Sequence, residues 1–484
     1  MRRALVAVAV LLVPLAARAD LGIGPIPGEE RFAGIVPQNT QTIGAGLGFG
    51  RMNEDYFVQL NLKTELNLGP VGLGLQVPLN LRVIDRDPQN KGDYWGLVRR
   101  EDWDQKSEYL RVIRYVRLGH KRDTFYLRVG ELAADLGHGT IVNHYLNNVD
   151  NNTLRVGGQF DVNTSYGGFE TMISDFGAVY DTANPRSRIV GTRLYFKPWS
   201  VIDAESFLNI FAVGASFVTD LNAPATYKLN AANQPIVTSD NTYEVDRTTH
   251  AEVWGVDLEA EVLHNALIDL VPYTDLNFIN QGGWGWHIGV LTTLKLPVGI
   301  NLTVPIRLEY RRFAADYVPG YFNTFYEVER FAYGLPTDAR AVLPKAPAVR
   351  HGTGNAYNGY YGDLAFDFMG LVQLGAIYEA RDGDTTNRNL QAFVTLPGIP
   401  VVQAKAFYAR TGILGTNDIF KFDDRSLLVA QARYEMVTYV YLVARFTRRW
   451  ELQYDPSAPA GANQSSIYAA KDDWAAGLEF SMQL

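Results

Sequence analysis

The densest set of side chains able to do chemistry is the segment 135–153, which holds Asp135, His138, Asn143, His144, Asn147, Asn148, Asp150, Asn151, Asn152 and Thr153. His138 and His144 could share a metal ion, and Asp150 among its asparagines could offer oxygens to calcium. The spacing, however, matches neither a zinc pattern nor a calcium loop. An Asn-rich loop that hydrogen-bonds to itself, or that folds inward to narrow a passage, accounts for the same residues without an ion. Asp135, His138, His144 and Asp150 are therefore read as constriction-loop candidates, with no metal and no cofactor expected. The chain has no Gly-X-Ser-X-Gly elbow, no His-Glu-X-X-His pair and no phosphate loop, so nothing in it points to an enzyme. Arg381-Asp382-Gly383-Asp384 resembles a fragment of a calcium loop, but Asp-Gly between two apolar runs is a hairpin turn.

The elements that must position these residues are strands. Val58, Leu60, Leu62, Leu66 and Leu68 alternate with Gln59, Asn61, Lys63, Glu65 and Asn67. Period-2 patterning puts each set on its own face of a strand. Gly69-Pro70 reverses the chain, and Val71 to Val83 resumes the pattern. A second pair flanks Pro297-Val298-Gly299, with Trp284 to Leu296 before it and Ile300 to Tyr310 after it. Soluble strands usually run about 5–6 residues, whereas runs of about ten suit tilted strands that cross a bilayer. Further runs lie near 41–50, 108–119, 124–132, 153–162, 166–175, 188–198, 206–219, 250–262, 266–278, 361–379, 389–396, 401–411, 427–436, 438–452 and 474–484.

The fold class is thus all-β, a single transmembrane antiparallel β-barrel of about 18–20 strands. Counting from the two chain ends leaves a mismatch of one strand between 314 and 360. Adding Tyr321 to Tyr333 as a strand resolves it at 20 and makes 334–360 a long segment on the side of the chain ends. If 41–50 is instead an internal plug strand, the count is 18. Pro78 and Pro305 each remove a ladder hydrogen bond inside a run, so local bulges are expected there.

A charge on the lipid face of such a barrel costs about 2–4 kcal/mol near the midplane, so charged strand residues should face the bore. That places Lys295, Arg307, Lys405, Arg433, Arg445 and Arg449 along the passage, with Asp363 and Asp367 as acids among them. Lys63, Arg82, Arg193, Glu65, Asp257, Glu259, Glu261 and Glu309 join the same face. Two readings of this mixture stand. The charges set up a field that selects an anionic solute, or they are cross-strand salt bridges that stiffen the wall.

Both chain ends bear on the setting. Trp474, Ala476, Leu478, Phe480, Met482 and Leu484 share one parity, opposed by Ala475, Gly477, Glu479, Ser481 and Gln483. This resembles the terminal strand of bacterial outer-membrane barrels, the strand read by the barrel-assembly machinery, although Leu484 stands where that class most often has Phe. At the other end, Arg2 and Arg3 precede an apolar run from Ala4 to Ala16, and Ala17-Arg18-Ala19 supplies the small residues a signal peptidase needs. The run is well short of the roughly 20 residues that span a bilayer as a helix. Residues 1–19 are therefore expected to be a cleaved signal peptide, with 20–484 forming the barrel.

Composition narrows the class. Hydrophobic residues make up 47% of the chain at a mean hydropathy of −0.10, so apolar and polar positions must be interleaved. The 27 Tyr and 8 Trp suit aromatic girdles at two lipid interfaces. The absence of cysteine excludes a lipoprotein anchor, disulfides and thiolate metal sites. A formal charge of −8 argues against nucleic acid as a partner.

The segment from Arg128 to Asp161 (Arg128-Val129-Gly130-Glu131, Leu136-Gly137-His138-Gly139, Asn147, then Arg155 to Asp161) resembles the strand, Gly-containing loop and strand of alginate-export porins, and the whole resembles a porin. That resemblance implies the outer membrane of a Gram-negative bacterium, contact with its lipid and lipopolysaccharide, and a small solute or polyanion as cargo. The expected function is passive diffusion of a hydrophilic, anionic solute. Two alternatives stay open. One is a fatty-acid-type transporter of hydrophobic compounds with Leu21 to Gly50 as a hatch, and the other is a structural or adhesive barrel displaying loops 84–107, 220–249 and 314–360.

Overall fold

The computed structural model describes residues 40–483, apart from 53–54, 87–93, 96, 100–101, 104–105, 149–154, 180–185, 204, 232–234, 237–242, 281, 298–300, 334–341, 353, 383, 398, 400, 424 and 453–467. Residues 1–39, including the expected signal peptide, its cleavage point and most of the hatch segment, lie outside the described residues, as does Asp150.

Twenty strands form the wall. The first ten are β1 (Thr40–Met52), β2 (Asp55–Leu68), β3 (Val71–Ile84), β4 (Ile113–Leu118), β5 (Phe125–Gly130), β6 (Gly157–Thr164), β7 (Gly167–Ile173), β8 (Ile189–Phe196), β9 (Phe211–Tyr227) and β10 (Val245–Ala260). The second ten are β11 (Ile268–Ile279), β12 (Trp284–Pro297), β13 (Asn301–Phe313), β14 (Tyr357–Phe368), β15 (Val372–Arg381), β16 (Asp384–Thr395), β17 (Val402–Arg410), β18 (Ser426–Val437), β19 (Val440–Leu452) and β20 (Tyr468–Gln483). Each pairs antiparallel with its sequence neighbour, and β1 pairs with β20 from Thr42↔Gln483 to Arg51↔Trp474. Closure leaves the sheet no free edge.

The alternation in the sequence becomes two faces of this ring. Leu47, Leu62, Leu194, Leu308 and Leu478 point outward and are more than half exposed. Glu65, Gln76, Asp275, Arg307, Gln431 and Glu479 point inward and are buried. A ladder closed on itself under an apolar outer skin is the form a bilayer imposes on strands, because hydrocarbon offers backbone groups no other partner. Short connections such as Gly69-Pro70, 119–124, 165–166, 369–371 and 438–439 share the end at which the chain enters β1 and leaves β20. At the first of these Gly69 takes φ 63°, a conformation glycine adopts without steric penalty. The long connections 85–112, 131–156, 174–188, 228–244, 314–356 and 453–467 share the other end, here the loop end.

Four expectations need correction. Residues 41–50 are not a plug strand; they belong to β1, whose two neighbours close the ring, and the 18-strand count falls with them. Tyr321 to Tyr333 is not a wall strand. It holds the two-residue strand Phe322–Asn323 and a short helix at Tyr326–Glu329, both inside the barrel. The missing strand instead comes from the run 361–379, which Met369, Gly370 and Leu371 divide into β14 and β15, with Met369 and Gly370 both at positive φ. The connection 314–356 consequently belongs to the loop end, not to the side of the chain ends. Finally, no bulge forms at Pro78 or Pro305. Asn61↔Pro78 and Thr293↔Pro305 stay in register. Proline is tolerated at Pro78 because, among the described residues, the other side of β3 has no ladder partner between Leu75 and Leu81.

Two loop-end connections turn into the barrel. Residues 131–148 form a strap whose ends pair with each other, Tyr145↔Ala134 and Leu146↔Ala133. Residues 314–333 lie beside it, with Phe322 and Asn323 pairing parallel to Val142 and Asn143. Ala134, Leu136, Ile141, Val142 and Tyr145 of the strap and Tyr317, Tyr321, Phe322 and Tyr326 of the second segment share one apolar cluster with Met172, Ile189, Val218, Val253, Ile279 and Phe313 of the wall. The inner faces of β7 to β13 thus turn apolar toward the loop end, where the segments pack. Lys345 seals the far side, buried among Tyr321, Tyr326 and Tyr333 and paired with Glu329 at 2.7 Å.

Candidate functional site

The tip of the strap, Gly137-His138-Gly139-Thr140, reaches the polar part of the inner wall. Gly137 and Gly139 hold φ of 57° and 77°, and a Cβ on either would meet an arginine, at 2.7 Å from Arg193 Cδ and 2.5 Å from Arg307 Nη1. Only glycine fits this close approach. Between them His138 sits with Nδ1 2.8 Å from Asp275 Oδ1 and Nε2 2.6 Å from Glu259 Oε2. Its ring stacks on Tyr273, with centroids 4.2 Å apart. Burial alone would favour the neutral imidazole, but the Asp275 carboxylate and the hydrogen bonds to Asp275 and Glu259 outweigh it and push the group up to about 9. Thr140 Oγ1 donates to Asp275 Oδ2 at 2.5 Å, and Gly137 N donates to Glu170 Oε2 at 2.9 Å.

His144 is held separately, with Nδ1 3.1 Å from Asp135 Oδ2 and Nε2 3.1 Å from Asp363 Oδ2. Burial again works against its charge, and the Asp135 carboxylate leads the contributions that raise it well above the ordinary histidine range. The two histidines therefore serve two different carboxylate pairs and do not converge on one ion. His138, Asp257 and Glu259 do bring one ligand atom each within 4.8 Å of one another. Arg193 already fills that space, donating to Asp257 at 2.7 and 3.0 Å and lying 3.4 Å from Glu259. The Asp257 and Glu259 oxygens that could ligate an ion are instead engaged by this guanidinium.

The expected bore residues occupy different situations. Arg307 donates to Glu309 Oε2 at 2.7 Å, to Tyr273 at 3.0 Å and to Asn143 of the strap at 3.0 Å, and it lies over the Tyr361 ring. Arg311 joins Glu309 and reaches Glu379 at 2.8 Å. Asp363 faces His144, whereas Asp367 accepts from Gly370 N at 2.6 Å and from Gln373 at 3.3 Å, which caps the β14–β15 turn. Lys295 pairs with Asp269 at 2.7 Å near the turn end. Lys405 is buried, between Thr395 and Gln431 in register. Arg433 pairs with Glu479 at 2.9 Å, donates to Gln403 at 3.2 Å and covers the Tyr441 ring at 3.5 Å. Arg445 is half-buried and has no ion pair or hydrogen bond among the described residues. Nothing is described of the Arg449 side chain.

Inward glycines make this arrangement shallow. A Cβ on Gly289 would strike the Tyr273 ring at 2.6 Å, one on Gly74 the Tyr115 ring at 2.6 Å, and one on Gly214 the Asp257 carboxylate at 2.4 Å. Large side chains thus lie flat along the wall over a neighbouring strand's glycine. Between Gly44 and Gly50 every inward place of β1 is glycine, and Lys63 of β2 reaches across them to Glu479 of β20 at 3.7 Å.

Sequence parity located Glu259, Asp257 and Glu309, but Asp275, Tyr273 and Tyr361 were missed as partners. Asp275 and Tyr273 share the parity of Asp269 and Asn277 on β11, a pattern visible in the run 266–278, whereas their pairing with the strap depends on how 131–148 folds.

No protein-family profile and no curated protein matches the chain. Among solved structures it is similar to Pseudomonas aeruginosa OccK11 (OpdR), at 12% identity and TM-score 0.30 over 92% of this chain and 98% of that one. The outer membrane protein OpdK from Pseudomonas aeruginosa gives 10% identity and TM-score 0.33 over 92% and 99%. Acinetobacter baumannii OccAB2 gives 10% identity and TM-score 0.30 over 92% and 98%.

Proposed function

We propose that the protein is an outer-membrane diffusion channel for hydrophilic solutes with a preference for anions. The observation that carries this reading is the division of charge around a closed ring. The strap is fastened on β7 to β13, where Glu170, Asp257, Glu259, Asp275 and Glu309 gather. In a ring of twenty, strands ten apart face each other, so β17 to β2 lie opposite, carrying Lys405, Arg433, Arg445 and Lys63 in excess over Glu65 and Glu479. A solute passing between the two faces crosses a transverse field in a low-dielectric frame, where charges act more strongly than in bulk water. Polar inner faces on these strands support a water-filled path and offer little to an apolar cargo.

Planar-bilayer recording with ion substitution tests the reading. A steady current with a reversal potential displaced toward the anion's is expected. Purified, correctly folded barrel that gives no current, or one that favours cations, overturns it.

A further inference from the structure

Among the groups in the bore, His138 stands apart because the strap depends on it from two sides. Both ring nitrogens face carboxylate oxygens, at 2.8 and 2.6 Å, so both must donate. Only the doubly protonated ring can do that; a neutral ring would turn a lone pair toward one carboxylate. His144 differs, since one of its partners, Asp135, belongs to the strap itself and only Asp363 belongs to the wall. His138 ties the strap to two wall strands at once, Glu259 of β10 and Asp275 of β11.

We propose that His138 is the positioning residue of the constriction, an imidazolium pin that holds the tip of strap 131–148 against the wall and loosens that tip when the proton is lost. The proposal rests on the channel reading for its physiological meaning, but the pin itself is a statement about the strap.

Every charged or titratable group around the ring bears on the sign. From β11 come Asp275 and Tyr273, from β10 Asp257 and Glu259, from β8 Arg193, from β7 Glu170, and from β13 Arg307 with its partner Glu309. Arg193 is committed to Asp257 and Glu259, and Arg307 to Glu309. Loss of the His138 proton therefore leaves Asp275 and Glu259 each without the imidazolium that faces it. Because the pinned group titrates at about 9 and a released histidine at its ordinary 6.5, the pin is at full strength below the lower value and weakens through the window between them. Opening should rise by up to roughly tenfold per pH unit across that window and level off above it.

The natural chain has no cysteine, so a single thiol reports on the strap. Ile141→Cys places one on the strap at a residue 3% exposed, and Leu229→Cys supplies an exposed control that corrects for the thiol's own pH dependence. The ratio of maleimide labelling rates, measured on refolded barrel from pH 6 to 10, should climb through the window in the parent. With His138→Gln added, the ratio should start high and stay flat. Glu259→Gln keeps the ring but removes one carboxylate charge, and should move the rise to lower pH; it serves if His138→Gln does not fold. A parent ratio that stays flat, or a slope unchanged by both substitutions, overturns the pin. Bilayer conductance recorded in parallel separates the two readings. A pH-dependent labelling ratio in a barrel that carries no current sinks the channel and leaves the pin standing.

Discussion

At the scale of single residues, the useful distinction is between charges locked into the wall and charges presented to the bore. Arg307 is of the first kind, since Glu309, Tyr273, Asn143 and the Tyr361 ring occupy it. Replacing it with Gln leaves Glu309 with Arg311 and His287 but one fewer cation, so the cost should fall below the about 3–5 kcal/mol of leaving a buried charge wholly unpaired. Arg307→Gln should lower the temperature at which the barrel unfolds in detergent, followed by the shift in gel mobility on heating. Arg445 is of the second kind. Arg445→Gln should leave that temperature within a degree or two of the parent, yet reduce anion preference at low salt. At 0.1 M salt and above, screening over about 10 Å should erase most of the difference. An unchanged reversal potential at low salt would assign Arg445 to the wall as well.

At the scale of elements, parity decides. Leu308 and Leu478 are both more than half exposed on the outward face. An arginine at either position puts a charge into hydrocarbon at about 2–4 kcal/mol near the midplane, so folded yield in liposomes should drop sharply. Asn61→Arg on the inward face of β2 should fold normally. Glu479→Arg, although equally inward, is a poor control, because it sets an arginine against Lys63 and Arg433. Gly289→Ala tests the flat-lying side chains. Its methyl group must displace the Tyr273 ring, from under His138 and away from Glu309, and overpacking of this kind costs about 1–3 kcal/mol. Strands and their faces were legible in the sequence because alternation is a local property, repeated every second residue. The inward course of 131–148 and 314–333 was not, because their apolar residues answer to wall positions such as Val218, Val253 and Ile279, far away in the chain. The same holds for His138. Its type and its loop could be read, whereas Glu259 and Asp275 are brought to it by the ring, across 121 and 137 residues.

At the scale of the whole molecule, a closed ladder unfolds as a unit, since no strand can leave without opening two others. Unheated protein should therefore migrate apart from boiled protein on detergent gels, and its circular dichroism should be strand-dominated. A single mobility under both conditions would contradict a closed ring. Closure also has to be made once, where β1 meets β20, and the bare glycine face of β1 bears on how that event is judged. Lys63 and Glu479 sit on strands that never touch through their backbones, and they meet only over Gly44 and Gly46. A slip of one residue between the joining edges would turn Glu479 outward into hydrocarbon and leave Lys63 alone. The gap in the side-chain lining thus acts as a proofreading window, through which a correctly threaded barrel recognises its own completion.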